Sequence, residues 1–132
     1  MKNITLTITI TISVILSAIL FMDYVENVSS DFSDYEEMQS SGIIERGWVP
    51  AYLPKSSKNI SEHHNIDTNR VHISFDYDIN EKLEIELLCT KIISNNKGKK
   101  YVCPPYSGAT SILTLREDGT GFYKSEYDGL IH

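Results

Sequence analysis

The densest group of side chains that could do chemistry lies near the middle of the sequence. Glu62, His63, His64 and Asp67 fall within six positions, and His72 follows shortly after them. Imidazole and carboxylate groups are common ligands of zinc and other transition metals. His63, His64, Asp67 and His72 are therefore a candidate metal site. Their spacing matches no established metal-binding motif, so capping of a helix end and surface polarity are the favoured roles.

A hydrolytic site would need a nucleophile together with a base and a group that orients the base. Ser56, Ser57 and Ser61 precede the histidines, but no G-x-S-x-G elbow surrounds them. Carboxylates alternate between residues 76 and 86, as they do on the solvated faces of many strands. No glycine-rich phosphate loop is present. We therefore expect a protein that is not an enzyme and that uses no cofactor.

Cys89 and Cys103 are the only cysteines. Each lies on a predicted strand, on opposite sides of a turn at residues 95–98, so folding of that turn brings the two sulfurs together. In an oxidising compartment this arrangement predicts a disulfide. The alternative is a pair of buried free thiols.

The pattern of apolar residues predicts two short helices followed by an antiparallel sheet of about five strands, an α+β fold. Helices are predicted over 31–42, where acidic residues fill the first turn, and over 57–64. Alternating apolar residues beginning at Val71 give the clearest strand. The predicted strands are 71–77, 83–93, 100–103, 111–116 and 121–127, the last two flanking an Asp118-Gly119 turn.

An apolar leader determines where the rest of the chain resides. Residues 3–22 carry no charge, Lys2 precedes them, and Asp23 and Glu26 follow. A helix of this length reaches roughly 30 Å, the thickness of a hydrocarbon core. The charge pattern predicts export of the remainder, to a periplasmic or other extracytoplasmic position. Residues 1–30 are either a signal peptide cleaved after Ser30 or a retained membrane anchor through residues 3–22, and residues 31–132 form one small domain.

The overall charge limits the class of partner. The chain has a formal net charge of −6, which makes it a poor ligand for nucleic acid. The one basic cluster, at Lys97, Lys99 and Lys100, adjoins turn residues and is typical of a solvated hairpin tip. We expect another protein, and not nucleic acid, as the partner.

The stretch from Gly47 to Asn69 resembles the pattern G-W-x-P-x-x-L-P-x-S-A-x-x-I-x-x-x-H-x-x-D-T-N of small exported bacterial proteins of the YbbD-like type. Ser57 stands where the pattern has alanine. The matching residues include Trp48, Pro50, Leu53, Pro54, Ser56, Ile60, His64, Asp67, Thr68 and Asn69. The resemblance implies bacterial export and one coherent domain. It supplies no catalytic residue, and no cysteine precedes Cys89 to carry the lipid that anchors many such proteins.

Trp48 is the only tryptophan of the chain. We expect it to fasten a long connection onto the helix–sheet layer; the alternative is an exposed anchor for a partner protein.

The export signal, the acidic charge, the predicted disulfide and the absence of a catalytic motif together favour a non-enzymatic envelope domain that binds another macromolecule. An immunity-like role against a basic toxin is its most specific form. The competing hypothesis is metal binding at the histidine cluster.

Overall fold

A seven-stranded antiparallel sheet organises the computed structural model, which describes residues 2–104 and 109–126. The strand order is β1-β2-β3-β7-β6-β5-β4. The elements are α1 (Lys2–Glu26), β1 (Asn27–Asp34), α2 (Tyr35–Ser40), β2 (Lys58–Asn65), β3 (Arg70–Asp76), a 3₁₀ turn (Glu84–Leu87), β4 (Thr90–Asn95), β5 (Gly98–Cys103), β6 (Thr110–Arg116) and β7 (Thr120–Glu126). The apolar helix followed by an antiparallel sheet agrees with the predicted α+β class, with seven strands in place of about five.

The leader forms one long helix that projects away from the sheet. Within the described residues it is the one helix long and apolar enough to cross a membrane, from Ile4 to Glu26, and none of it is buried. Its hydroxyl side chains donate to backbone carbonyls one turn earlier, Thr9 to Thr5 and Thr11 to Thr7, each at 2.9 Å. Such internal bonds let hydroxyl-bearing residues sit in an apolar environment.

Helix α1 passes into strand β1 without a linker, since the helix ends at Glu26 and the strand begins at Asn27. The Asn27 side chain donates to the Asp23 carbonyl at 2.8 Å. The Ile66 amide, in the turn between β2 and β3, donates to the Glu26 carbonyl at 2.9 Å. The helix end is therefore held by the edge strand and by the neighbouring turn.

One face of the sheet carries the core. It is covered by α2, by the irregular connection at residues 41–57 and by the 3₁₀ turn. Tyr35 and Met38 are the buried residues of α2, and Ile43, Val49 and Leu53 bring the connection onto the sheet. The sheet supplies its inward residues with a period of two. They include Ile60, Val71, Ile73, Phe75, Tyr101, Leu113, Leu115 and Tyr123.

The predicted helix over residues 57–64 is wrong, because these residues form strand β2. Along β2 the buried positions are Ile60, Glu62 and His64, which alternate with more exposed ones. Two of the three inward residues are polar. Their polarity hid the two-residue period, and the Ser57 cap with Glu62 nearby imitated the start of a helix.

The predicted helix over residues 31–42 is wrong in its first turn. Residues up to Asp34 belong to β1, and the helix is confined to Tyr35–Ser40, capped by the Asp34 carboxylate on the Glu37 amide at 2.9 Å. Phe32, Tyr35 and Met38 have helical spacing, but Phe32 lies on the strand. The strand was missed because polar residues occupy most of its positions.

The predicted strand over residues 83–93 begins too early. Residues Glu84–Leu87 form the 3₁₀ turn, and β4 begins at Thr90. The Cys89 amide donates to the Ile85 carbonyl at 2.8 Å, and the side chains of both residues are buried. Leu87, which the alternating pattern placed beside them, is exposed.

The remaining strands and turns follow the sequence closely. Strands 71–77, 100–103, 111–116 and 121–127 correspond to β3, β5, β6 and β7 within about two residues, with Tyr127 outside the described residues. Gly98 begins β5 with a φ of +143°, and a Cβ there would lie 2.3 Å from the Leu115 carbonyl oxygen. Only glycine fits this approach. The predicted disulfide joins Cys89 to Cys103 at the other end of β5.

Candidate functional site

The motif connection is attached to the sheet through a pair of stacked rings. Trp48 lies on His64 of β2 with ring centroids 3.9 Å apart and an angle of 14° between the planes. Trp48 is partly buried and His64 is buried. The indole thus covers the imidazole and fastens the connection to β2, the packing role expected for this tryptophan.

Behind the stacked rings lies a buried acid–histidine pair. Glu62 is 0% exposed, and its Oε1 lies 2.7 Å from Nδ1 of His64. Loss of hydration raises the pKa of the Glu62 carboxyl, against the lowering effects of the His64 hydrogen bond and charge. The second oxygen, Oε2, is buried with no hydrogen-bond partner. Because the two residues are two apart on a strand, both side chains fall on the inner face.

The other two histidines of the cluster lie on the opposite, open face of the sheet. His63 of β2 is directly opposite His72 of β3, and on its other side it faces Ser29 of β1. The Ser29 hydroxyl and His63 Nδ1 are 2.7 Å apart. A serine beside a histidine is the start of a nucleophile–base pair. No carboxylate of the described residues hydrogen-bonds to His63, so the group that would orient a base is missing from the pair.

The sheet therefore separates the residues proposed as a metal site. His64 is on the inner face beside Glu62, whereas His63 and His72 are on the outer face. Asp67 is exposed in the β2–β3 turn and not on a helix face shared with His63. Across the described parts of the chain, no group of three or more histidine, cysteine, aspartate or glutamate residues is placed to hold a metal ion.

The Pro-Ser part of the motif fixes the path of the connection into β2. The carbonyl of buried Pro54 accepts hydrogen bonds from the Ser57 amide, at 3.0 Å, and from its hydroxyl. Ser56 donates its amide and hydroxyl to the Glu81 carboxylate, and its hydroxyl oxygen accepts from the Asp78 amide at 2.9 Å. These bonds tie the connection to the loop that follows β3. Pro50 precedes them, and its carbonyl accepts from the Leu53 amide.

The Asp-Thr-Asn part of the motif builds the β2–β3 turn. The Asn65 side-chain oxygen accepts from the Thr68 amide at 2.8 Å and from its hydroxyl at 2.9 Å. Asn69 has a φ of +52°, a left-handed conformation that asparagine tolerates well. This turn is the one whose Ile66 amide holds the end of α1, so the motif also sets the junction between helix and sheet.

A polar cleft opens at this junction, and we call it the junction cleft. Its volume is about 270 Å³, and it is lined by Arg70, by His63, His64 and His72, and by mostly polar residues of β1 and of the β2–β3 turn. The lining contains no carboxylate among the described residues, although the chain as a whole carries a net charge of −6. Asn27, the first residue after α1, forms part of the wall.

A second polar group lies in the core, at the inner face of β6 and β7. The Ser111 hydroxyl lies 3.0 Å from the Tyr123 hydroxyl and 3.3 Å from that of Ser125. The Tyr52 ring meets Tyr123 edge to face, and burial raises the pKa of its phenol. These hydroxyls satisfy one another inside the core and link the connection to the middle of the sheet.

Sequence reasoning missed the Glu62–His64 pair, the stacking of Trp48 on His64 and the contact of Ser29 with His63. The signal for the first was present, since residues two apart share a face in a strand. It was overlooked because the segment was assigned to a helix. The other two contacts join positions far apart in sequence, and no local pattern reveals them.

Comparisons with known proteins support the resemblance seen in the motif. Residues 26–76 match the family model of the YbbD head domain. The matched region begins at the end of α1 and runs to the end of β3. It contains the motif connection, the strands that carry His63, His64 and His72, and the junction cleft. A search of curated proteins and a search of solved structures give no match.

Proposed function

We propose that this chain, which is YbbD-like over residues 26–76, is an exported bacterial domain that stays anchored in the membrane by α1 and binds another protein without catalysing a reaction. The observation that carries the proposal is the direct passage of an apolar helix of 25 residues into a paired edge strand. A signal peptidase acting after Ser30 would have to cut within β1. Retention of the helix keeps this strand whole.

The disulfide supports an extracytoplasmic position of the sheet. Cys89 and Cys103 are joined, and such bonds persist in oxidising compartments, whereas the cytosol keeps thiols reduced. The charge pattern around the helix favours the same orientation, because Lys2 precedes the apolar residues and acids follow them. Both features support a position of the sheet outside the cytoplasm.

Fractionation of cells that make the full chain tests this location. We expect the protein in the membrane pellet after carbonate extraction, its sheet domain digested by protease added to spheroplasts, and no free thiol until reductant is added. A matched chain with Cys89→Ser and Cys103→Ser controls for thiol labelling. A soluble cytoplasmic product with two reactive thiols would refute both export and anchoring.

The surface that best suits a protein partner is the free edge at β4. All six residues of this strand, Thr90–Asn95, are exposed, and no strand of the described residues pairs with the outer side of β4. Ile92 and Ile93 are 50% and 46% exposed, and Leu87 and Leu88 just before the strand are 87% and 57% exposed. An apolar edge strand offers unpaired backbone groups and side-chain contacts to an added strand.

The charge near this edge indicates the kind of strand that would pair with it. Lys91 lies on β4, and Lys97, Lys99 and Lys100 lie on the adjoining hairpin. An extended partner segment with apolar and acidic residues would complement this edge. An immunity-like role against a secreted toxin remains one form of the proposal. The toxin's basic residues would then contact the acidic remainder of the domain.

Photo-crosslinking in cells tests the edge. A photoreactive amino acid at Ile93 should give a crosslink to one envelope protein, and the double variant Ile92→Lys, Ile93→Lys should lose that protein in affinity purification, since lysines blunt strand addition. The matched control places the probe at Asp31 on β1, the other edge strand. Equal crosslinking at both edges, or an unchanged yield from the double variant, would exclude β4 as the binding surface.

A further inference from the structure

We propose that the junction cleft binds a phosphate group, of the kind carried by the headgroups of anionic membrane lipids. The proposal rests on the anchoring of α1, because the membrane places such headgroups beside the cleft. It deepens the proposed function by assigning the anchored domain a lipid contact of its own, separate from the edge at β4.

The chemistry of the lining favours an anion. The cleft presents the Arg70 guanidinium and the imidazoles of His63 and His72, with hydrogen-bonding side chains around them. Arg70 has no carboxylate partner among the described residues, so its five N–H donors are available to a ligand. A planar guanidinium with neighbouring donors matches the oxygens of a phosphate.

The acids near the cleft do not occupy it. Glu62 is buried behind His64 and bonded to its Nδ1, and Asp67 and Glu26 lie at the junction without lining the cleft. In a chain with a net charge of −6, a concavity lined by Arg70 and by the outer-face histidines His63 and His72 is an exception to the general charge. This group of basic side chains lies at the end of the sheet that joins α1.

The length of α1 places the cleft at the depth of the headgroups. The uncharged run ends at Met22, five residues before Asn27 in the wall of the cleft. At about 1.5 Å per residue, Asn27 stands roughly 7 Å beyond the hydrocarbon. The headgroup layer of one leaflet is about 5–8 Å thick. Phosphates of the outer leaflet therefore lie level with the cleft.

An exposed apolar residue at the same level agrees with contact to lipid. Ile66 is 50% exposed in the β2–β3 turn, and its amide is bonded to the Glu26 carbonyl at the end of α1. Beside a membrane this exposed apolar side chain lies at the level of the headgroups. The turn thus contributes an apolar surface near the cleft and Thr68 to its wall.

The tryptophan provides a built-in probe for occupancy. Trp48, the only one in the chain, stacks on the inner face of β2 against His64, the strand neighbour of His63 in the cleft. A phosphate bound beside His63 on the outer face changes the electric field across this strand and so the emission of the indole. The full chain in phosphatidylcholine nanodiscs, with a rising fraction of phosphatidylglycerol, should show a saturable change in Trp48 emission. Inorganic phosphate added to pure phosphatidylcholine nanodiscs forms the second arm.

Substitutions separate the cleft from general attraction to charge. The Arg70→Gln variant should require about tenfold more anionic lipid to reach the same change in Trp48 emission. A tenfold loss is the effect expected when one charged hydrogen-bonding group is removed. Arg70→Lys should recover part of the binding, which guards against a folding defect. Lys97→Gln is the matched control, since its turn lies at the far end of the strands, about 20 Å away along the sheet, and we expect it to match the unaltered chain.

Each outcome decides the proposal. Saturation with phosphatidylglycerol alone supports a lipid site, and saturation with inorganic phosphate alone supports a phosphate site filled from solution. No saturation in either arm, or equal losses in Arg70→Gln and Lys97→Gln, overturns it. The intact mass of the protein from its native membrane tests anchoring separately. A mass without residues 1–30 would refute the anchor and would also remove Asn27, Val28 and Ser29 from the wall of the cleft. An intact mass with no saturation in either arm would overturn the cleft alone.

Discussion

Trp48 of the motif connection and His64 of β2 stack at 3.9 Å between ring centroids. The imidazole is held at its edge by Glu62, whose Oε1 lies 2.7 Å from Nδ1. The three residues form a continuous unit from the partly buried connection to a fully buried carboxylate. A change in His64 therefore affects both the packing of the connection and the environment of a buried acid.

Substitution of His64 by alanine should destabilise the domain strongly. It would remove the ring on which Trp48 stacks and leave the Glu62 carboxylate buried without its partner. Loss of one member of a buried pair costs about 3–5 kcal/mol of unfolding free energy. Denaturant titration of the full chain in detergent micelles, followed by circular dichroism, measures this loss.

His63→Ala is the matched control, because its side chain is exposed on the opposite face. We expect a change below about 1 kcal/mol. A double variant, Glu62→Leu with His64→Leu, should recover part of the stability lost in His64→Ala, since it leaves no buried charge. Equal effects of the His63 and His64 substitutions would contradict the structure.

The raised pKa of Glu62 should make stability depend on pH. The folded state holds the Glu62 proton more tightly than the unfolded chain, whose glutamate pKa is about 4.3. The stability from this residue is thus fully present below the unfolded pKa and is lost as pH rises through the raised folded pKa. Relative to Glu62→Gln, the unaltered chain should lose unfolding free energy as the pH rises above the unfolded glutamate pKa of about 4.3.

Unfolding free energies of the two chains at several pH values give the test. Both keep His63, His64 and Arg46, whose charges act on Glu62, so the difference between the chains reports this carboxyl together with its coupling to His64. A difference that stays constant with pH would show that the Glu62 pKa is the same in the folded and unfolded states.

Strands with apolar inward residues and a recognisable turn could be predicted from the sequence, and strands with polar inward residues could not. β3 and the β6–β7 hairpin were found because their inward residues are apolar and their turn carries Asp118-Gly119. β2 was missed because Glu62 and His64 occupy inward positions, and such residues are read as exposed. The candidate site could be located but not assembled, since the contact of Trp48 with His64 depends on the path of a connection that has no periodic pattern.

The disulfide should contribute substantially to stability. Cys89 and Cys103 are 14 residues apart in sequence and close a hairpin whose outer strand is the exposed β4. A loop of this length accounts for about 3 kcal/mol in the chain-entropy model. The variant Cys89→Ser, Cys103→Ser should lose about that much in denaturant titration. Reductant should shift the unaltered chain to the same midpoint and leave the variant unchanged; a shift of the variant would point to another cause.

The start of the folded domain can be tested by comparing two shortened chains, one beginning at Asn27 and one at Asp31. Strand β1 pairs with β2 from Asn27 opposite Asn65 to Asp34 opposite Lys58. Removal of residues 27–30 deletes half of this ladder, including the contact of Ser29 with His63. With each hydrogen bond worth about 0.5–1.5 kcal/mol, the shorter chain should be less stable by roughly 2–4 kcal/mol. Denaturant titration without detergent measures the difference, and equal stabilities would instead fit a leader that is removed after Ser30.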